Sequence, residues 1–527
     1  MDKRTEKDPK RMEAIKKAEV GEIKLLYHEE LDVLEPVMEE ELGDNKAHGS
    51  HLFTVEKFLA NGEHDKCKLR LVLHGNEQDP LLFPNKSSPT VAIHSILSCL
   101  TVAAYNGVQE AAKIDLKGAF IQTPMEGPPV YMRCDKNLTK LIVEVYPQFK
   151  KYVSKDGFLY NRLKKALYGC IQAISFWFKK LVKFLVTEGY EQSPTDPCVM
   201  RRIVNDKICL LLIYVDDILI LADRAEIERL KVNFTKEFTW ITMDVGKVHS
   251  YLGMQIEFED GFVKVDMKHF IEKMLGEVDN LQEHPTPADK NVFTVEESEK
   301  LSETDRKKFH TLVAKLLFLS KRARPDFSLA NGFLCTRFSR AMKEDRRKLY
   351  RLLGFLKRTK DEVFILRPSD LELLAFIDAA FASHPDSKSH TGIAIFIGGV
   401  LVFAASRKQK CVTKSPTESE LVALTDNIGF VELFAEFFGF TTITEVKSPM
   451  IYQDFTSVIS LVTKGGGVVR TKHLRVRMNL CKEAYDEERI RIGYANTNDM
   501  KADGLTKPLQ GEQFQKLKTF MLGTSTD

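Results

Sequence analysis

The chain has 527 residues, 43% of them apolar and 29% charged, with a net charge of +3. That length exceeds a single hydrophobic core and predicts three or four domains of ordinary globular composition. Nine cysteines with no CxxC and no Cys/His pair at zinc spacing argue against a disulfide framework or a zinc site.

The N-terminus, MDKRTEKDPKRMEAIKKAE, is charged and helical in pattern, with no secretory leader. Residues 1–50 are expected as a charged helical N-terminal extension. HLFTVEKFLANGEHDKCKLRLVLHG then predicts a β-hairpin turning at Asn61-Gly62. VAIHSILSCLTVAAYNG has helical apolar spacing, and AAKIDL is a short strand. The longest apolar stretch, Ile208 to Ala222, is interrupted by two aspartates and is too short to span a bilayer. HPTPADKNVFTVEESEKLSETD, with two prolines and many charges, is expected to be a tether.

From Lys307 to Lys360 there are sixteen Lys or Arg against three Asp or Glu, with Phe, Leu and Tyr interleaved. Basic helices of this kind suit a phosphate backbone, and Arg337, Arg340, Arg346, Arg347 and Arg351 are the candidate contacts. A solvated helix face is the competing reading, but the acids that usually accompany one are scarce.

The last third predicts strands at LELLAFIDAA, TGIAIFIGG and VLVFAASRKQK, the last two joined at Gly398-Gly399. A helix follows at SPTESELVAL, with Ser415 or Thr417 as N-cap. Then come the strand PMIYQDF, the helix TSVISLVTK, a Gly465–Gly467 break, a basic helix, the strand RIRIGYANT and a final helical segment. That order matches a ribonuclease H-like fold, although other α+β folds share parts of it.

The sharpest feature is KICLLLIYVDDILILADR, which sets Asp216-Asp217 at the apex of a hairpin with buried arms. Adjacent carboxylates repel one another unless a divalent cation neutralises them. Nucleotidyl transfer uses two Mg²⁺ ions about 3.5–4 Å apart, which needs a third carboxylate from another strand. Asp115 in AAKIDLKGAF, about a hundred residues upstream, is the candidate.

KIDLKGAFIQ, LKKALYGCIQAISFWF and LLIYVDDILI resemble, in order and spacing, blocks of copia-type retrotransposon reverse transcriptases. So do KHFIEKML, FHTLVAKLLFLSKRARPDFSLA, SPTESELVAL, IYQDFTSVI, TKHLRVR and KADGLTKPL, and the likeness runs from about Lys68 to Leu509. The resemblance implies an α+β, α/β multidomain fold: a right-hand polymerase of palm, fingers and thumb followed by a ribonuclease H-like domain. Fingers and palm are expected at 51–275, a basic helical thumb or connection at 276–370, and the ribonuclease H-like domain at 371–527.

It further implies Asp115, Asp216 and Asp217 as polymerase metal ligands, and Phe120 as the residue sensing the nucleotide sugar. Tyr168, Gly169 and Gln172 would line the nucleotide and template pocket, with Lys68 and Arg70 on the triphosphate. Cys170, Ile171 and Ile174 depart from the leucine, lysine and proline usual in the family. Asp378, Glu418, Asp454 and Asp503 would form the ribonuclease H quartet, with His473 near the substrate. Each site would take two Mg²⁺ ions, or Mn²⁺ in their place. Implied partners are an RNA template, a DNA primer, the RNA–DNA hybrid and dNTPs, with retrotransposon capsid and integrase in trans and no membrane. The expected location is cytoplasmic, in a virus-like particle, and nuclear. A non-enzymatic RNA-binding scaffold would have lost these carboxylates. A nuclease using only the C-terminal fold leaves Asp115 and YVDD unexplained, and a telomerase-like enzyme lacks the ribonuclease H.

Overall fold

A computed structural model of the chain describes residues 9–58, 64–82, 87–465 and 472–524. Four sheets organise it, and helices fill the spaces between them.

The first sheet has five strands, in spatial order Leu34–Val37, Leu159–Leu163, Tyr131–Cys134, Ala47–Phe58 and His64–Leu73. The helix Pro9–Leu26 lies against it. Its apolar residues Ile23 and Leu26, with Tyr27 just beyond, are buried among Leu71, Leu73, Met132 and Leu159. The Tyr27 hydroxyl donates to Asn161 Oδ1 at 2.8 Å, so the buried phenol is satisfied. Residues 9–50 are therefore not an appendage. Beyond residue 8 they supply a packed helix, an edge strand and the start of a central strand of this sheet. The hairpin expected at 51–75 is present as the antiparallel pair Ala47–Phe58 and His64–Leu73. Its Asn61-Gly62 turn lies outside the described residues.

The second sheet, where the palm is expected, runs Ile241–Gly246, Ala111–Leu116, Asp217–Leu221, Lys207–Tyr214, Val199–Val204 and Glu191–Gln192. Residues 208–213 are all buried, as a continuous apolar run requires when the sheet is covered on both faces. The helix Ile93–Tyr105 is buried at every position from Ser95 to Ala104. A helix apolar all round must be enclosed, and this one packs against both the palm strand Asp217–Leu221 and the C-terminal strand Val400–Val412. The two halves of the chain thus share one core.

A third, four-stranded sheet ends on Phe364–Leu366, so the chain returns to pair with Phe262–Asp266 after about a hundred residues. Between them lie the basic helices Glu303–Ser320, Ser328–Cys335 and Lys343–Arg358. The stretch expected as a tether is packed instead. Val292 and Phe293 are buried, and Lys348 Nζ donates to the carbonyls of Val292, at 3.0 Å, and Thr294. Prolines and charges made this segment irregular without freeing it.

The basic stretch is largely structural too. Arg337 is buried and pairs with Asp345 at 2.9 Å, and Arg324 is held by both oxygens of Asp326. Arg351 donates to Thr286 Oγ1 at 2.9 Å, Arg347 is paired with Glu344, and Arg346 lies 3.6 Å from Asp305. Of the five proposed phosphate contacts only Arg340 is exposed with no partner among the described residues. Eight of the sixteen Lys and Arg from 307 to 360 are ion-paired, several with acids outside that stretch.

The fourth sheet has the order Val400–Val412, Lys388–Ile397, Leu373–Ala380, Met450–Gln453, Arg491–Tyr494. The first three strands are antiparallel and the last two run parallel to Leu373–Ala380. The long helix Pro416–Phe440 crosses it. Gly398 and Gly399 have φ of +55° and +82°, the left-handed pair that a two-residue hairpin turn needs. Gly466 and Gly467 lie outside the described residues. No described helix is long and apolar enough to cross a membrane.

Candidate active sites

The palm hairpin turns through Val215 and Asp216, and Asp217 opens the returning strand opposite Tyr214. The carboxylates thus sit one residue later than a symmetric apex would put them. Val215 has φ +57°, a left-handed conformation that a β-branched residue strongly disfavours. The Trp177 indole fixes the turn by donating to the Val215 carbonyl at 2.7 Å. Strain of about 1–3 kcal/mol held in place by packing is what a functional turn tends to carry. It presents Asp216 beside the neighbouring strand.

That strand is Ala111–Leu116, where Asp115 pairs in register with Asp217. Asp115 is exposed, while Asp216 and Asp217 are half-buried. Burial raises the Asp216 carboxyl above its ordinary range, and the negative charges of Asp217 and Asp115 add to the effect. Lys113, two residues before Asp115, reaches 3.2 Å from Asp217 Oδ1 and donates to the Ser250 carbonyl at 3.0 Å. Sequence reasoning missed this lysine, although alternation along a strand puts positions 113 and 115 on one face.

The pocket residues assemble in part. Phe120 meets Tyr168 edge to face at 5.1 Å, and the Arg70 guanidinium lies 4.2 Å above the Tyr168 ring. Lys68 lies two residues before Arg70 on the same strand. Gly169 has φ +91°, and a Cβ there would come within 2.0 Å of the Leu73 carbonyl oxygen. The Tyr168 carbonyl also accepts from Leu73 N at 2.8 Å, so this loop is clamped to the first sheet. Gln172 does not line a pocket surface. It is buried against Gln78, whose Nε2 donates to Gln172 Oε1 at 3.3 Å.

The second site lies on the C-terminal sheet. Phe376 and Tyr452 are paired on parallel strands, and Asp378 and Asp454 each follow two residues later. Both carboxylates therefore leave the carboxyl ends of adjacent parallel strands, where sites in such sheets form. The third carboxylate is Glu420 on the long helix, not Glu418. Oxygens of Asp378, Glu420 and Asp454 lie within 4.8 Å of one another, the one such three-residue group among the described residues. Asp115, Asp216 and Asp217 do not converge that closely.

Glu418 has a different task. Ser415 Oγ caps the helix by accepting from Glu418 N at 3.2 Å, and Glu418 Oε2 accepts at 2.9 Å from the amide of Lys414, the residue before the cap. The signal was in the sequence. Ser followed three residues later by Glu is a capping pattern, which leaves the second glutamate of SPTESEL for other work.

Glu420 Oε1 accepts from Ala379 N at 3.1 Å, while buried Oε2 has no partner. Burial, then the charges of Asp378 and Asp454, push its carboxyl up to about 9. Asp503 is raised to about 6, burial again the main cause. Lys507 Nζ lies 2.7 Å from Asp503 Oδ1 and 3.6 Å from Asp378 Oδ2, and the Thr506 hydroxyl donates to Asp378. His473 is the second residue of the helix Lys472–Asp486, and its side chain is outside the described residues. An orphaned buried oxygen, hard oxygen donors and like charges at close range fit a divalent cation.

The second sheet thus sets an acidic hairpin against a strand aspartate, the arrangement expected of a polymerase palm. Residues 43–288, which contain the whole first site, match the family described as reverse transcriptase (RNA-dependent DNA polymerase). The likeness continues across the remainder. The chain is 28% identical over 531 residues to the retrovirus-related Pol polyprotein from transposon TNT 1-94 of Nicotiana tabacum, which covers 94% of this chain and 38% of the relative. It is 27% identical over 475 residues to that from transposon RE1 of Arabidopsis thaliana, covering 89% and 31%. The chain spans less than two fifths of the length of these relatives. Among solved structures, the foamy viral protease-reverse transcriptase in complex with RNA/DNA hybrid aligns with 88% of this chain and 51% of its own, at 14% identity and a TM-score of 0.48.

Proposed function

We propose that the chain is an RNA-directed DNA polymerase joined to a ribonuclease H, copying RNA into DNA and degrading the RNA of the resulting hybrid. The observation that carries the reading is Asp115 paired with Asp217 beside Asp216, inside the stretch that matches the reverse transcriptase family.

Asp115, Asp216 and Asp217 would hold the metal of the polymerase site; Asp378, Glu420, Asp454 and Asp503 would hold that of the nuclease site. Two Mg²⁺ ions per site, or Mn²⁺, would supply Lewis-acid activation of the attacking hydroxyl or water and neutralise the phosphate charge. The chain's own residues do the rest. The Val215 turn and Trp177 fix where Asp216 points. Phe120, braced by Tyr168, offers a ring edge to the sugar of a dNTP. Arg70, stacked on Tyr168, and Lys68 bring positive charge toward its triphosphate. In the nuclease half, the Ala379 amide and the Ser415 cap fix the helix that carries Glu420.

Substrates on this reading are an RNA template with a DNA primer, and the RNA–DNA hybrid they yield. On the same reading the chain would work with capsid and integrase in trans, in a cytoplasmic virus-like particle with access to the nucleus. The test is primer extension on poly(rA)/oligo(dT) with Mg²⁺. Purified chain should extend the primer and Asp115→Asn should not; an inactive parent or an active variant contradicts the proposal.

A further inference from the structure

The nuclease site contains a cation that belongs to the protein. Lys507 Nζ sits between Asp503, at 2.7 Å, and Asp378, at 3.6 Å. The placement follows from the backbone. Asp503–Leu505 forms a single 3-10 turn, and Lys507 N donates to the Asp503 carbonyl at 2.7 Å, which stacks the lysine above the aspartate. The strand Lys388–Ile397 supports the turn from below, where a Cβ on Gly392 would collide with Leu505 and Thr506 at 2.8 Å.

Lys507 divides the four carboxylates into two halves. Asp378, Glu420 and Asp454 converge with one oxygen of Glu420 unpartnered. Asp503 stands outside that group, joined to Asp378 by the ammonium and by Thr506, whose hydroxyl reaches both Asp378 and the Asp503 carbonyl. A second divalent ion between Asp378 and Asp503 would need the space that Nζ takes. The side chain is 39% exposed, and its flexible four-carbon stem leaves it a route outward.

We propose that Lys507 is a positioning residue that serves as the resident cation of the Asp378–Asp503 half. It holds that half together without metal and restricts the site to one tightly bound divalent ion until its ammonium swings out. The inference rests on the proposed metal-binding role of Asp378, Glu420 and Asp454. Charge arithmetic supports it: one divalent ion plus one ammonium nearly balances four carboxylates, as two divalent ions would. The cost to a second ion is repulsion from a fixed positive charge a few ångströms away.

The test is Mn²⁺ binding to the full chain, followed by calorimetry and electron paramagnetic resonance, with Asp216→Asn and Asp217→Asn present to silence the palm. The parental nuclease site should take one Mn²⁺ tightly, and Glu420→Gln should remove it. Lys507→Met, and Lys507→Gln should the methionine variant fail to fold, should bind a second Mn²⁺ about tenfold or more tighter than the parent. Lys507→Arg should behave as the parent. Without divalent ions the neutral variants should melt below the parent, and saturating Mn²⁺ should close the gap. A neutral variant that folds and shows the parental isotherm overturns the role of Lys507. Identical isotherms for the parent and Glu420→Gln would instead overturn the metal-site reading beneath it.

Discussion

Glu420 Oε1 accepts a hydrogen bond from the backbone amide of Ala379 at 3.1 Å, and Ala379 is the residue that follows Asp378. One contact therefore locks the helix Pro416–Phe440 to the strand carrying the most buried acid of the site, and sets the spacing of the two carboxylates.

The two glutamates of SPTESEL should separate by mutation. Glu420→Gln keeps the hydrogen bond from Ala379 N and loses the ability to ionise onto a metal, so RNA cleavage should vanish with little change in folding. Glu418→Ala should cost about 1 kcal/mol through the lost cap and leave cleavage measurable. Chemical denaturation and a hybrid-cleavage assay read the pair, and the reverse pattern would restore Glu418 to the site.

Stability without metal should depend on pH through Glu420. Its carboxyl rises from 4.5 unfolded to about 9 folded, so the folded chain keeps a proton that the unfolded chain releases. The contribution is full below about 4.5 and is lost as pH rises toward 9. Melting temperature without divalent ions should fall over that window, less so in Glu420→Gln. Asp503, moved from 3.8 to about 6, adds a smaller loss between those values. At pH 7.5 a bound divalent ion should expel a proton, seen as a buffer-dependent calorimetric enthalpy. A buffer-independent enthalpy would contradict the shift.

The architecture was readable from apolar periodicity and from the order of blocks. The central palm strand is a buried run of Ile and Leu, and the C-terminal strands alternate with helices as their patterns required. The tether failed because Pro and charge exclude regular structure but do not preclude packing, and Lys348 reaching the Val292 carbonyl is a long-range contact that no window reports. The basic helices failed for a related reason. Net charge counts sixteen cations without revealing that Arg337 faces Asp345. Glu420 was missed because a motif names a neighbourhood, and only capping chemistry distinguishes its two glutamates. Lys113 and Lys507, each beside a site carboxylate, belong to no acidic pattern.

Arg337 should therefore act through folding and not through nucleic acid. Arg337→Ala strands Asp345 in a buried place, which costs about 3–5 kcal/mol. Urea unfolding should show that loss, while the salt dependence of primer–template binding by the folded fraction stays parental. A flattened salt slope with unchanged stability would return Arg337 to the interface.

Phe120 meets Tyr168 in an edge-to-face contact and is only half-buried, as a ring available to a ligand must be. Phe120→Val should relax discrimination against ribonucleotides, since a 2′-hydroxyl would no longer displace a packed ring at about 1–3 kcal/mol. Competition between dNTP and rNTP in single-nucleotide extension measures the ratio. An unaltered ratio in a folded variant would make Phe120 core packing.

The central claim is that one chain carries two separate carboxylate sites, one for DNA synthesis and one for RNA cleavage. The direct measurement follows primer extension and hybrid cleavage in the same reaction for the parent, Asp216→Asn and Glu420→Gln. Asp216→Asn should abolish extension and still cleave RNA, and Glu420→Gln should extend primers and leave the RNA intact. Loss of both activities in either folded variant, or continued extension by Asp216→Asn, would contradict it.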